Sequence, residues 1–131
     1  MPEYNTVGAV VANGPRLATA GEDLSADKGK FVKWSGTNLI KVTATADDVV
    51  GVIKSGGVNG ATVTYMPLEA ASGSCLVYAS AAISAGAPIK FTATGQAAAA
   101  TFGTDKRVGR AITAASGAGA LFEAVLMPNC V

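Results

Sequence analysis

Residues 82–101 read AISAGAPIKFTATGQAAAAT. The run Gln96–Thr101 holds four consecutive alanines, the best helix formers. Four residues are nevertheless far too few to repay helix nucleation. Gly95, just before them, is a turn residue, and Thr92, Thr94 and Thr101 favour strand. The stretch therefore predicts a short strand after a hairpin turn, with alanine letting a neighbouring layer approach closely. Residues 24–43, LSADKGKFVKWSGTNLIKVT, have the same form, and TNLIKVT lies where QAAAAT lies.

Working outward, the chain alternates short β-like runs with turns. Val32 and Trp34 share one strand face, with Lys33 on the other. Ser35-Gly36-Thr37-Asn38 supplies a turn, and residues 39–45 return. VVGVIKS (49–55) runs into the glycine-rich Gly56–Gly60, and ATVTYMPL (61–68) returns with Ala61, Val63 and Tyr65 on one face. The second half repeats these landmarks. Leu24-Ser25-Ala26 matches Ile83-Ser84-Ala85, Gly36 matches Gly95, Val50-Gly51 matches Val108-Gly109, and Met66-Pro67 matches Met127-Pro128. Ala61, Val63 and Tyr65 fall opposite Phe122, Ala124 and Leu126. The expectation is an internal duplication. The fold class is all-β, a compact small barrel or sandwich of antiparallel strands from two similar halves, with at most one short helical turn at Thr45–Asp48. Residues 1–20 read either as an arm free to reach a partner or as an edge strand of the same domain; the domain bounds taken are an N-terminal arm, 1–20, and a single β domain, 21–131, with repeats at about 21–68 and 76–129.

Composition narrows the function. The chain has 131 residues, half of them hydrophobic but only 6% aromatic, so alanine and valine dominate and the core should be thin. Charged residues make up 15%, below the roughly 25% of ordinary soluble domains. Such a surface is cheap to dehydrate and suits protein contact. A formal net charge of +1 gives no basis for capturing nucleic acid. Lys28, Lys30 and Lys33 are interleaved with Asp23 and Asp27 and read as a solvated strand edge of mixed charge. No apolar run approaches the roughly 20 residues of a membrane span, and residues 1–6 do not read as a signal peptide. No membrane or nucleic-acid partner is expected.

Catalytic chemistry finds little support. The chain has no histidine, which removes the commonest general base and metal ligand. Asp47-Asp48 and Glu22-Asp23 are adjacent pairs, which point to opposite strand faces and read as turn chemistry. SGGVNG and SGAGAL lack the Gly-Lys-Ser/Thr of a phosphate loop and read as hairpin glycines. Cys75 and Cys130 lack the spacing of a zinc site, and a disulfide between them would require an oxidising compartment. The expectation is no enzyme, no cofactor and no metal. The candidate partner-binding residues are Tyr4, Val7, Val10 and Val11 in the arm, together with Trp34 and Asn38 at the first hairpin. Trp34 reads as a core or interface anchor.

The second half also resembles a known family. Ile83, Gly86 and Ile89 lead to Gly95 and the alanine strand. Val108-Gly109-Arg110-Ala111, the turn Gly117–Gly119 and the apolar run Leu121–Met127 follow. This order is similar to that of the small capsid decoration, or cement, proteins of tailed bacteriophages. Residues 24–68 carry a weaker copy around Val50-Gly51-Val52. Arg110 departs from the pattern, which often has a small or apolar residue there. The resemblance implies a non-enzymatic homotrimer that binds the major capsid protein on the outside of an icosahedral head. It would be assembled in the host cytoplasm and stabilise the shell by multivalent bridging. The alternatives are another self-assembling virion or surface structural protein, or a carbohydrate-binding module using Trp34 and Tyr65.

Overall fold

The computed structural model describes residues 15–68 and 74–130, with side chains as far as Met127. Ten strands are present among them and no helix: β1 Arg16–Ala20, β2 Phe31–Ser35, β3 Asn38–Lys41, β4 Gly51–Ser55, β5 Thr62–Pro67, β6 Cys75–Tyr78, β7 Pro88–Phe91, β8 Ala97–Ala99, β9 Arg107–Ala111 and β10 Leu121–Cys130. The alanine run is a strand, paired with β7 through Phe91↔Ala97, Lys90↔Ala98 and Ile89↔Ala99. Thr45 and Ala46 form a turn rather than a helical turn.

The first five strands close into a barrel in the order β1-β3-β2-β4-β5, with β5 returning to β1. The last five form a sheet in the order β6-β10-β9-β7-β8. A single parallel bridge, Ala79↔Ala97, joins its two ends. That bridge stands where β1 and β3 pair in parallel through Ala20↔Leu39. Both halves therefore have one connectivity, with β1–β5 equivalent in turn to β6–β10.

Backbone hydrogen bonds repeat with the strands. Ala20 N donates to Ala61 O and Gly60 N to Ala20 O; in the second half Ala79 N donates to Ala120 O and Gly119 N to Ala79 O. Gly29 N donates to Ile53 O, and Gly86 N to Ala111 O. These matches set the alignment of the halves. Gly51 faces Pro67 across β4–β5, and Gly109 faces Leu126 across β9–β10. Phe122 therefore stands where Val63 does, not Ala61, and Leu126 where Pro67 does. The matched Met-Pro pairs do not occupy one rung. They misled because Met-Pro is a match of composition alone; β10 runs on to Cys130, past the rung at which β5 ends, with a bulge between Leu126 and Cys130. The alternation of faces survives the shift: Val63, Tyr65, Phe122 and Ala124 are all buried.

A second correction concerns the arm. Residues 16–20, assigned to it from sequence, are strand β1. Leu17 and Ala18 pair with Thr64 and Val63, and Ala20 is wholly buried. Without β1 the barrel would have an open edge. The repeat thus begins near Arg16, and residues 1–14 lie outside the described residues.

The core has two parts. Ala20, Leu24, Val32, Leu39, Ile53, Val63 and Tyr65 fill the first barrel. A larger cluster fills the second half and continues into the junction, where Phe31, Val52 and Met66 meet Phe91 and its neighbours. The Phe31 and Phe91 ring centroids are 5.9 Å apart. Among the described residues two backbone bonds cross the junction: Phe31 N donates to Gly95 O at 2.7 Å, and Tyr78 N to Gly29 O at 2.8 Å.

Candidate functional site

Trp34 and Asn38 come together at the first hairpin. Ser35 and Asn38 pair directly, leaving Gly36 and Thr37 as the tip. Gly36 has φ +63°, which a side chain would strain. Trp34 opposes Leu39 across the hairpin and stands edge-on to Tyr65, with centroids 5.9 Å apart and an interplanar angle of 84°. Tyr65 is buried, while Trp34 remains 44% exposed. A tryptophan supported from below and open above is suited to contact with another surface. Tyr4, Val7, Val10 and Val11 lie outside the described residues, so no geometry joins them to Trp34.

Sequence reasoning missed Leu17 and Phe102, which are 69% and 73% exposed. Leu17 was grouped with the arm, yet strand parity from buried Ala20 would have turned it outward. Phe102 sits in a turn, where the Arg107 guanidinium lies 4.5 Å from its ring centroid. Val58, 61% exposed, tops the loop between β4 and β5.

The charged groups are structural. Lys33 pairs with Asp47 at 3.0 Å, and Lys90 with Asp105 at 3.2 Å, at equivalent places in the two halves. Each aspartate also accepts from a threonine N–H, Thr43 N at 2.7 Å and Thr101 N at 2.8 Å. These bonds clasp the loops after β3 and β8. The Thr43 N–H, ahead of the Lys33 ammonium and the Ala44 N–H, holds the Asp47 carboxyl down at about 2, from 3.8. Asp105 is lowered for the same reasons, led by Thr101 N–H. A lowered folded-state pKa gives stability that is complete above the unfolded value and is lost as pH falls through the folded one. Stability should therefore decline between about pH 4 and about pH 2. The double variant Asp47→Asn, Asp105→Asn should flatten that slope, read from urea midpoints at each pH.

Asp27 is buried at the foot of β2, 3.3 Å from Lys30 and 3.6 Å from Lys41. Lys30 also lies over the Tyr78 ring at 4.9 Å, so this lysine joins the two halves rather than standing free on a strand edge. Cys75 is a free thiol that burial pushes up to about 11, which keeps it protonated and poorly nucleophilic. It borders a small cleft between the halves with Lys28, Lys54 and Leu76. A wider groove is lined by Thr45, Ala46, Phe91, Thr92 and Lys106. Among the described residues no cluster of acidic or sulfur groups could hold a metal ion, and no helix is long and apolar enough to cross a membrane.

No protein-family model matches the chain, and no curated protein matches it.

Proposed function

We propose that this protein is a structural virion component that decorates the outside of an icosahedral phage head. In this reading it bridges major capsid protein subunits as a homotrimer and stabilises the shell. The observation that carries the reading is the completeness of the first barrel without residues 1–14. Strand β1 closes the ladder between β3 and β5 using Arg16–Ala20 alone. Tyr4, Val7, Val10 and Val11 are thus not needed to close that ladder. A segment with these apolar residues would suit strand addition to the edge of a partner sheet. Each such side chain contributes on the order of 1.5–3 kcal/mol when buried. Ordering the backbone costs about 1–2 kcal/mol per residue, so pairing with a capsid strand has to supplement that burial.

The test is deletion of residues 2–12. The truncated chain should keep its cooperative unfolding. Its binding to expanded heads assembled from the accompanying major capsid protein should weaken at least about tenfold, as loss of a hot-spot cluster does. Cosedimentation with those heads reads the outcome. Undiminished decoration would move the bridging role to the hairpin around Trp34 and Asn38 and to the 55–60 loop. Failure of the full chain to bind the heads would overturn the reading.

A further inference from the structure

The junction between the halves is one-sided. The first half meets it with Gly29, Phe31 and Val52, and the second with Tyr78, Phe91 and Gly95. Strand β6 therefore runs beside the first half, and its ladder lies on its other side. Cys75 to Tyr78 pair with β10, from Cys75↔Ala124 to Tyr78↔Leu121. Along a strand in such a ladder the backbone polar groups of successive residues point to alternate sides. Ala79 N donates towards β10, to Ala120 O, and Tyr78 N donates away from it, to Gly29 O. Two residues back, the Leu76 N–H and C=O therefore also point away from β10. Among the described residues no strand pairs with them on that side, and no backbone group of the first half bonds them. An unpaired edge of this kind is a template for an added strand.

The space beside the edge is a cleft of about 260 Å³ bordered by Lys28, Lys54, Cys75 and Leu76. Its chemistry selects what can enter. Leu76 is 44% exposed, and the Cys75 thiol is protonated. Lys28 and Lys54 belong to the first-half wall and are both exposed. Among the described residues neither forms an ion pair, whereas Lys30 and Lys41 are held by Asp27. Glu123, opposite Leu76 on β10, accepts from the Ser74 hydroxyl. The cleft thus combines one strand's free backbone groups, an apolar rim and two cations without a carboxylate partner among the described residues.

We propose that β6 accepts an extended acidic segment of a partner protein, which adds a strand at Leu76 and brings its carboxylates to Lys28 and Lys54. In strand addition the backbone bonds supply affinity and the side chains choose the partner. Successive side chains of an added strand face opposite ways, so a segment alternating acidic and apolar residues fits both the lysines and the rim. The inference goes beyond the capsid reading. It uses none of residues 2–12 and its test needs no heads, so either can fail without the other.

The test is fluorescence anisotropy of a labelled peptide, EVEVEV, titrated with the full chain. EVEVEV should bind at least about tenfold more tightly than KVKVKV, which reverses the charge. Its fully N-methylated form keeps the charge but has no N–H to donate, and should also bind at least about tenfold more weakly. Lys28→Glu with Lys54→Glu should weaken EVEVEV binding at least about tenfold, with the fold kept because both side chains are exposed. Leu76→Pro removes the outward N–H and spares the β10 ladder, a change an edge strand tolerates, and should weaken binding by a similar factor. Undiminished binding by Leu76→Pro, or of the N-methylated peptide, would reduce the contact to charge alone and overturn the proposal. Binding that tightens about tenfold on deletion of residues 2–12 would give the cleft to the chain's own arm, which also overturns it. So does failure of EVEVEV to bind the unmodified chain; self-association of Lys28→Ala, Lys54→Ala would then show that the lysines only guard the edge.

Discussion

Gly51→Ala is expected to destabilise the protein by about 3 kcal/mol, at the upper end of overpacking costs. Gly51 lies on β4, opposite Pro67 of β5. A Cβ there would overlap the Met66 carbonyl oxygen and come within 2.9 Å of the Pro67 Cα. The obstacle is backbone within a closed barrel, so no side chain can rotate away. β4 would have to separate from β5, at the cost of ladder hydrogen bonds. A domain of this size loses roughly 3–6 °C of Tm per kcal/mol, so a fall of about 10 °C or more should be seen by calorimetry. Gly109→Ala in β9 should behave similarly, because its Cβ would lie 2.5 Å from Val125 O. Gly117→Ala is the control. Its Cβ would meet nothing within 4 Å and its φ is not positive, so the change should be neutral within about 0.5 kcal/mol. Equal Tm values for Gly51→Ala and Gly117→Ala would refute the close approach of β4 and β5.

Phe31→Ala should cost about 3–5 kcal/mol, the range for emptying a buried aromatic site. Phe31 is wholly buried at the junction, with its ring against Phe91 and its N–H on Gly95 O. The second half supplies one wall of the cavity, so little can collapse into it without moving the halves together. The loss should also reduce their coupling. Denaturation followed at Trp34, which reports on the first barrel, should separate from denaturation followed by far-ultraviolet circular dichroism. Coincident transitions with a loss below about 1 kcal/mol would show that the junction does not depend on this ring.

Much of the fold was legible in the residues, because a hairpin writes its signal locally. Ser35-Gly36-Thr37-Asn38 named its turn, and Gly95 with the surrounding threonines overrode four alanines. Closure of the barrel was not legible. The parallel pairing of β1 with β3 joins segments whose contact no nearby turn announces. That same pairing drew residues 16–20 out of the expected arm. The repeat was legible in outline, but Met-Pro is a composition match and carries no information about register. The register shows only in the ladder across Gly51 and Gly109. At the candidate site, Trp34 was legible because a tryptophan is conspicuous in a chain with few aromatics. Leu17 was not, since its exposure follows only once residues 16–20 are placed in the barrel as β1 rather than in an arm.

The one-sided junction also bears on how the two halves can change over time. Equivalent positions answer to different constraints: Val52 must suit a dry neighbour, while its counterpart Arg110 must remain compatible with solvent. The same holds for Phe31 and Pro88, which pair with Val52 and Arg110 in turn, and in the opposite sense for Trp34 and Phe91, which oppose Leu39 and Ala97. Accepted substitutions in one half are therefore a poor guide to those in the other, despite the shared fold. Recombination that replaced the second half with another copy of the first would preserve every strand. It would also place Phe31, Val52 and Met66 on an uncovered outer face, changing the protein's solubility without altering its topology.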